Sequence, residues 1–296
     1  MELWTVSILF ATLLYGVLHF LYKAAAEAGG KGDELVSIAG GTVAVLALIT
    51  LCLTEQHPLR LFTGPVFLYA CLNGLTYALA MLFNFGALQR APAAVVFPLN
   101  RMNSLLVLLI GVCFFHELIR PVQYIGIAIG LSVLFLISRE QKKSFALTRD
   151  RRIIAGVLLA LTSAFFTTLS MTSGKLLADT SENRLAYMTA SYSLVFLFTF
   201  GRQSLRKRRL DWLTSLLRTP RLSLYGLAIG CLNFAGYFLV LRAFGSGPIS
   251  LSQAIFSSSI IIPVILSRLF YRERLTPTRI FAILLALLSV ALISLP

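Results

Sequence analysis

The chain has 296 residues, of which 57% are hydrophobic and only 13% are charged, and its mean hydropathy is +0.83. A soluble domain carries about 25% charged residues, so the composition excludes a conventional soluble fold. The net charge of +14 would suggest a nucleic-acid partner in a soluble protein. Here the basic residues lie mainly between apolar runs, which indicates membrane orientation rather than nucleic-acid binding.

Ten continuous apolar runs follow one another along the chain, separated by mostly short connections. They are long enough for helices that cross a bilayer, and none shows the ~10-residue alternation of a membrane β-strand. We therefore predict an all-α integral membrane protein with ten transmembrane helices. The runs, called spans 1 to 10, are 3–22, 35–53, 65–88, 93–115, 122–138, 153–177, 185–200, 223–244, 249–271 and 278–295.

Three landmarks of the first half recur 156 residues later. They are Pro92, Glu117 and Pro121, followed by Pro248, Glu273 and Pro277. Both sets bracket equivalent spans, which predicts two copies of a five-span unit. A copy with an odd number of spans enters the membrane in the opposite sense, so the repeat is predicted to be inverted. This divides the chain into repeats 1–138 and 153–296, joined by a basic linker, 139–152.

Small residues repeat at the same offset. Gly126 and Gly130 in span 5 correspond to Ala282 and Ala286 in span 10. Such pairs let helix backbones approach closely. They predict that spans 5 and 10 pack against a neighbouring helix, either inside a monomer or across a homodimer, and we favour internal packing.

The loops differ strongly in charge. The linker 139–152 holds six basic residues and the loop 202–222 holds seven, while the opposite side has few. The positive-inside rule places the basic side in the cytoplasm and both termini outside. We expect a multi-pass protein of the plasma membrane, which in a bacterium is the inner membrane. The 202–222 loop also fits an amphipathic segment lying on anionic lipid, an alternative to a solvated charge cluster.

One arginine lies at membrane depth. All twelve acidic residues fall in loops or at span ends, whereas Arg101 lies eight residues into span 4. Asn100, Asn103 and Ser104 fall on the same helix face. A guanidinium suits bidentate contacts with carboxylate or phosphate, so we predict that this face lines a central cleft. The alternative is a structural arginine bonded to backbone carbonyls and asparagines.

Further polar positions complete the predicted site. Span 9 carries Ser250, Gln253 and Ser257 on one face, expected to oppose span 4, and an Asn/Tyr pair repeats in spans 3 and 8. Ordinary hydrogen bonding between helices is the alternative role for these residues. The predicted substrate-binding residues are Asn73, Tyr77, Asn100, Arg101, Asn103, Tyr237, Gln253 and Ser257.

Several other groups receive simpler interpretations. His19 could carry a proton, although a satisfied core histidine is the commoner role, and Lys175 is expected to extend toward the membrane interface. Glu117 and Glu273 are interpreted as helix-end anchors. The four cysteines lie in different spans without metal-ligand spacing, and no catalytic constellation or nucleotide-binding motif is present. We therefore expect no enzyme activity, cofactor or metal.

Four runs carry a family resemblance. They are Phe97-Pro98-Leu99-Asn100-Arg101, Phe114-Phe115-His116-Glu117, Pro121-x-Gln-Tyr-Ile-Gly126 and, in the second copy, Phe270-Tyr271-Arg272-Glu273-Arg274-Leu275-Thr276-Pro277. These runs resemble the EamA-type unit of the drug/metabolite transporter superfamily. The resemblance implies a secondary carrier with inverted repeats and alternating access, from a family that moves amino acids, nucleotide sugars, other metabolites or drugs. The deep glutamate of the small four-helix members has no counterpart between Glu2 and Glu27.

The favoured hypothesis is a secondary-active transporter of a small polar metabolite, such as an exporter of amino acids or related carboxylate-bearing solutes. Its expected partners are the small-molecule substrate and the lipid bilayer, with no nucleic acid. The alternative is a non-transporting membrane scaffold or a lipid-handling subunit, suggested by the basic 202–222 loop.

Overall fold

The computed structural model describes residues 2–28, 32–91, 96, 99–100, 102–142, 151–180, 183–207, 220–271 and 277–293. The elements in this part of the chain are helices. They are α1 (Leu3–Glu27), α2 (Gly32–Thr54), α3 (Gly64–Leu88), α4 (Asn103–Cys113), α5 (Pro121–Lys142), α6 (Arg151–Ala178), α7 (Arg184–Lys207), α8 (Pro220–Ser246), α9 (Ile249–Ser257), α10 (Ile261–Tyr271) and α11 (Pro277–Ile293). Short 3-10 helices cover Pro58–Leu61 and Ser258–Ile260.

Length and apolar character make several of these helices fit to cross a membrane. Within the described ranges, α1, α2, α3, α6 and α8 each contain a stretch that is long and apolar enough to do so. Large apolar side chains also cover the outside of the bundle; Phe10, Phe67, Leu109, Phe165 and Leu284 are each more than half exposed. Because so much exposed apolar surface is unfavourable in water, the protein is an integral membrane protein.

Prolines mark where several helices begin and where one changes its hydrogen-bonding pattern. Pro121, Pro220 and Pro277 occupy the first positions of α5, α8 and α11, where the missing N–H has no intrahelical partner to lose. In the span predicted over 249–271 the backbone stays helical, with a 3-10 turn at Ser258–Ile260 between α9 and α10. Pro263 has no N–H to donate to the Ser259 carbonyl, so the α-helical pattern cannot run unbroken through this position.

Contacts between the two halves of the chain occur in matched pairs. α3 packs against α6, and their counterparts five spans away, α8 and α1, also pack together. The α2–α8 contact is matched in the same way by α7–α3. Counterpart helices also meet each other, as α2 with α7, α5 with α11, and α4 with α9. This arrangement fits two copies of one five-helix unit.

The glycine pair on α5 packs against α11. A Cβ at Gly126 would lie 2.9 Å from Ile293 Cγ1, and one at Gly130 would lie 2.8 Å from Ser289 Oγ. The Ser289 hydroxyl donates a 2.7 Å hydrogen bond to the Gly126 carbonyl, and Ala286 is buried on the same helix. The predicted internal packing of these small residues is confirmed.

Lys175 does not extend to the membrane interface, and that prediction is wrong. Its side chain is buried at the end of α6, where Nζ donates to the carbonyls of Phe244 at 2.7 Å and Gly247 at 3.2 Å. Nζ also lies 2.8 Å from a carboxylate oxygen of Asp179. The carbonyls at the C-terminal end of α8 are unpaired within the helix and attract a cation, so they hold the ammonium group inside the protein.

We expect Gly126→Leu to destabilise the protein by about 1–3 kcal/mol, because the added side chain would overlap Ile293. The measurement is thermal unfolding of the purified protein in detergent. Gly201→Leu is the control, since a Cβ at Gly201 on α7 meets nothing within 4 Å. Equal losses of stability in the two variants would contradict the close α5–α11 packing.

Candidate substrate site

Hydrogen bonds among the described residues form two connected groups of polar side chains inside the helix bundle. The tyrosine–asparagine network consists of Tyr15, Asn73, Tyr77, Ser170, Ser173, Tyr187, Ser191, Tyr192, Asn233 and Tyr237. The α4–α9 seam consists of Asn103, Ser104, Ser250, Gln253 and Ser257. All members carry hydroxyl, phenol or amide groups, so both clusters act through hydrogen bonding.

Asn73 is the centre of the first half of the network. Its Nδ2 donates to Tyr237 Oη at 3.1 Å and to Ser191 Oγ at 3.2 Å. The hydroxyl of Ser170 donates to its Oδ1. The three partners come from α6, α7 and α8, so one amide of the first repeat bridges three helices of the second. A buried amide has at most four hydrogen-bonding sites, and three of them are used here.

Asn233 plays the corresponding part on α8. Its Oδ1 accepts a 2.7 Å hydrogen bond from Tyr15 of α1 and a 3.4 Å bond from Tyr192 of α7. The Tyr187 and Tyr237 hydroxyls lie 3.2 Å apart and connect this group to Asn73. Two predicted site residues, Asn73 and Tyr237, thus use most of their hydrogen-bonding groups in contacts with other side chains of the protein.

Tyr77 differs from the other repeated Asn/Tyr positions. Its ring centroid lies 6.1 Å from that of Tyr192, but the side chain is only partly buried, whereas Asn73, Asn233 and Tyr237 are buried. Tyr77 is therefore the member of this predicted set with surface left for a solute.

The α4–α9 seam joins the two halves directly. The hydroxyls of Ser104 and Ser257 lie 2.6 Å apart, and Gln253 Nε2 donates to Ser104 Oγ at 3.5 Å. Ser250 Oγ donates to the Leu108 carbonyl at 3.5 Å. The prediction that the polar face of span 9 opposes span 4 is confirmed by these contacts.

The predicted polar face of span 4 divides in two. Asn103 is buried at the start of α4, where its Oδ1 accepts a 3.5 Å hydrogen bond from Ser104. Asn100 precedes the regular helix and instead donates a 2.7 Å bond to Asn84 of α3. Arg101, the cation of the predicted site, lies outside the described residues.

Three buried polar atoms near these helices have no hydrogen-bond partner among the described residues. They are Oδ1 of Asn100 and the hydroxyl oxygens of Ser252 and Ser259. A buried polar atom without a partner is costly, and native proteins commonly supply one from water or a ligand. The region around α4 and α9 therefore has hydrogen-bonding capacity to spare, unlike the tyrosine–asparagine network.

Several network residues were not found from the sequence. Tyr187 and Ser191 stand four residues apart on α7, and Ser170 and Ser173 stand three apart on α6. Such spacings place side chains on one helix face, so a polar pair within an apolar span was a usable signal. Tyr15 lies three residues after Thr12 and four before His19, so the same spacing signal was present in α1.

We expect Asn73→Leu to lower the free energy of unfolding by about 1–3 kcal/mol, because hydroxyls from three helices lose a buried partner. Thermal unfolding in detergent measures the loss. Asn84→Leu is the control, since Asn84 is half-buried and accepts one hydrogen bond from Asn100. A loss for Asn73→Leu no larger than that of the control would contradict a structural role for Asn73.

The chain matches the model of the EamA-like transporter family over residues 2–139 and 154–295. A solved structure described only as "Crystal structure of protein" is similar at 18% sequence identity, covering 98% of this chain and 96% of that one, with a TM-score of 0.77. At this identity the likeness shows a shared fold. No curated protein matches. Because the family match spans nearly the whole chain, this protein belongs to the EamA-like transporter family, within the drug/metabolite transporter superfamily.

Proposed function

We propose that this membrane transporter is a secondary-active carrier that works by alternating access, with its substrate bound at the α4–α9 seam. The observation that carries the proposal is the seam itself, where counterpart helices of the two repeats meet through Ser104, Gln253 and Ser257. Polar side chains inside a membrane bundle are costly, and they commonly mark the path of a substrate.

The proposed architecture is ten membrane-crossing helices arranged as two inverted five-helix repeats. The matched contacts between helices five spans apart support it, as does the odd number of predicted spans in each repeat, with α9 and α10 together forming span 9. In carriers of this kind the substrate site lies at the interface of the repeats, near the middle of the membrane. We place the protein in the plasma membrane, which in a bacterium is the inner membrane, with both termini outside.

A local change of helix type supports the same location for the site. Between α9 and α10 the helix narrows into a 3-10 turn at Ser258–Ile260. A stretch of 3-10 helix inside a longer helix often marks a functional hinge. The partnerless hydroxyls of Ser252 and Ser259 lie on both sides of this end of α9.

The substrate class follows from the proposed lining. Arg101 precedes the seam residues Asn103 and Ser104 on the same segment, and its guanidinium suits a carboxylate. The amide of Gln253 and the hydroxyl of Ser257 would hydrogen-bond the rest of a small polar molecule. We therefore propose a carboxylate-bearing metabolite, such as an amino acid or a related compound, moved outward.

We expect carboxylate-bearing metabolites to raise the unfolding temperature of the protein, because a ligand that binds only the folded state stabilises it. A thermal-shift screen in detergent against a panel of acidic, neutral and cationic metabolites measures this. Arg101→Gln should abolish the shift, and Gln253→Leu should weaken apparent affinity about tenfold for each lost hydrogen bond.

Ser132→Ala is the matched control for this screen, since Ser132 on α5 bonds only to the Ile129 carbonyl of its own helix in the described structure. Its shift should equal that of the unmodified protein. Stabilisation that survives Arg101→Gln would remove the arginine from the site. A response to no metabolite on the panel would favour the scaffold or lipid-handling alternative.

A further inference from the structure

The short connection between α8 and α9 is held by two charged side chains from other parts of the chain. On its α8 side, Lys175 Nζ donates to the carbonyls of Phe244 and Gly247. On its α9 side, the Glu117 carboxylate accepts hydrogen bonds from the backbone N–H groups of Ile249 at 2.5 Å and Ser250 at 3.0 Å. Each charge faces the helix end of opposite polarity, so both contacts are electrostatically favourable.

Glu117 reaches α9 from the other repeat. It lies in the connection between α4 and α5, whereas Ile249 and Ser250 begin α9. No side chain of the α9 N-cap residue, Pro248, satisfies these N–H groups. The carboxylate therefore replaces the missing cap and ties the first repeat to the second.

Gly111 makes this contact possible. A Cβ at this position would overlap Ser250 Oγ and would lie 2.6 Å from Glu117 Oε2. Only glycine lets α4 approach the start of α9 closely enough for Glu117 to reach both N–H groups. The close approach and the cap are thus parts of one arrangement.

Apolar packing surrounds the two charges at this end of the bundle. A Cβ at Gly247 would overlap the Trp4 ring, and Lys175 Nζ lies 5.8 Å from the centroid of the Phe115 ring. Beneath the loop, Val107 and Ile249 are fully buried in the largest apolar cluster of the described structure. The α4–α9 contact beneath this connection, at Val107 and Ile249, is therefore closed to water.

We propose that Glu117 and Lys175 form a latch on the 247–248 connection between α8 and α9, and that this latch closes one end of the substrate path. The inference rests on the proposed alternating access. For the path to open at this end, α9 must separate from α4, so the Glu117 carboxylate must leave the N–H groups of Ile249 and Ser250. Water can then hydrate both the carboxylate and the helix end, which makes the contact releasable rather than permanent.

The test measures access to Val107, one helical turn before Gly111 and beneath the latch. Val107→Cys is made in a chain whose four native cysteines are alanine, and the protein is placed in phosphatidylcholine nanodiscs. A charged, water-soluble maleimide then labels the cysteine, and mass spectrometry follows the rate. We expect Glu117→Gln and Lys175→Met each to speed labelling roughly tenfold, because a charge-assisted contact is lost.

Glu55→Gln is the matched control. Glu55 follows α2 and accepts a 3.1 Å hydrogen bond from Asn183 just before α7, so it links the repeats without touching the 247–248 connection. Its labelling rate should stay at the level of the unmodified chain. A rise equal to that of Glu117→Gln would show general loosening and overturn the latch.

If Glu117→Gln and Lys175→Met both fold but label at the rate of the unmodified chain, the latch is overturned. If one of these variants does not fold, the labelling rate of the other is sufficient for the test. Labelling requires no substrate, so the result is independent of the metabolite screen. Fast labelling of both variants would support the latch as a gate even if no metabolite in the thermal-shift screen stabilised the protein. That combination of results would reject only the proposed substrate class.

Discussion

A membrane interior offers no water to a polar group, so each such group must find its partner within the protein. This constraint explains the main contacts of the bundle. Asn73 gathers hydroxyls from three helices, and Lys175 binds carbonyls at the end of α8. Glu117 supplies the acceptor that the first turn of α9 lacks. Each contact joins segments far apart in sequence, so satisfying polar groups also fixes how the helices pack.

The constraint is met to different degrees in the two polar clusters. In the tyrosine–asparagine network, the amides of Asn73 and Asn233 bond mostly to other network members. Opening that network would break several buried hydrogen bonds at once, so it suits a fixed joint between the repeats. Fewer hydrogen bonds join α4 to α9, so separating these two helices would break fewer of them. Ser252 and Ser259 near this seam also have buried hydroxyls without a partner among the described residues.

Much of this arrangement could be predicted from local sequence. The positions of the helices could be predicted from the apolar runs, because burial in lipid depends on composition. The face of α9 that meets α4 could be predicted from the spacing of Ser250, Gln253 and Ser257. The partner of Lys175 could not be predicted, since its carbonyl acceptors lie 69 and 72 residues downstream. The 3-10 turn after Ser257 was also not predicted. Pro263 can begin a helix as readily as disturb one, and tertiary packing decides between these outcomes.

The seam also shows how far the two copies have diverged. The landmark prolines recur at an offset of 156 residues, so the counterpart of Ser104 is Ile260 and the counterpart of Ser257 is Arg101. Ser104 meets Ser257, whereas Leu108, one turn later on α4, meets Ser250, which is earlier on α9. The two helices are therefore antiparallel, as the proposed inverted repeat requires, and their contacts lie on either side of the two-fold axis. On that repeat, the counterpart of the Ser104–Ser257 contact is the sequence pair Arg101 and Ile260. Two hydroxyl residues on one side of the axis thus correspond to an arginine and an isoleucine on the other, so the two copies have lost their chemical equivalence at the seam where we propose that the substrate binds.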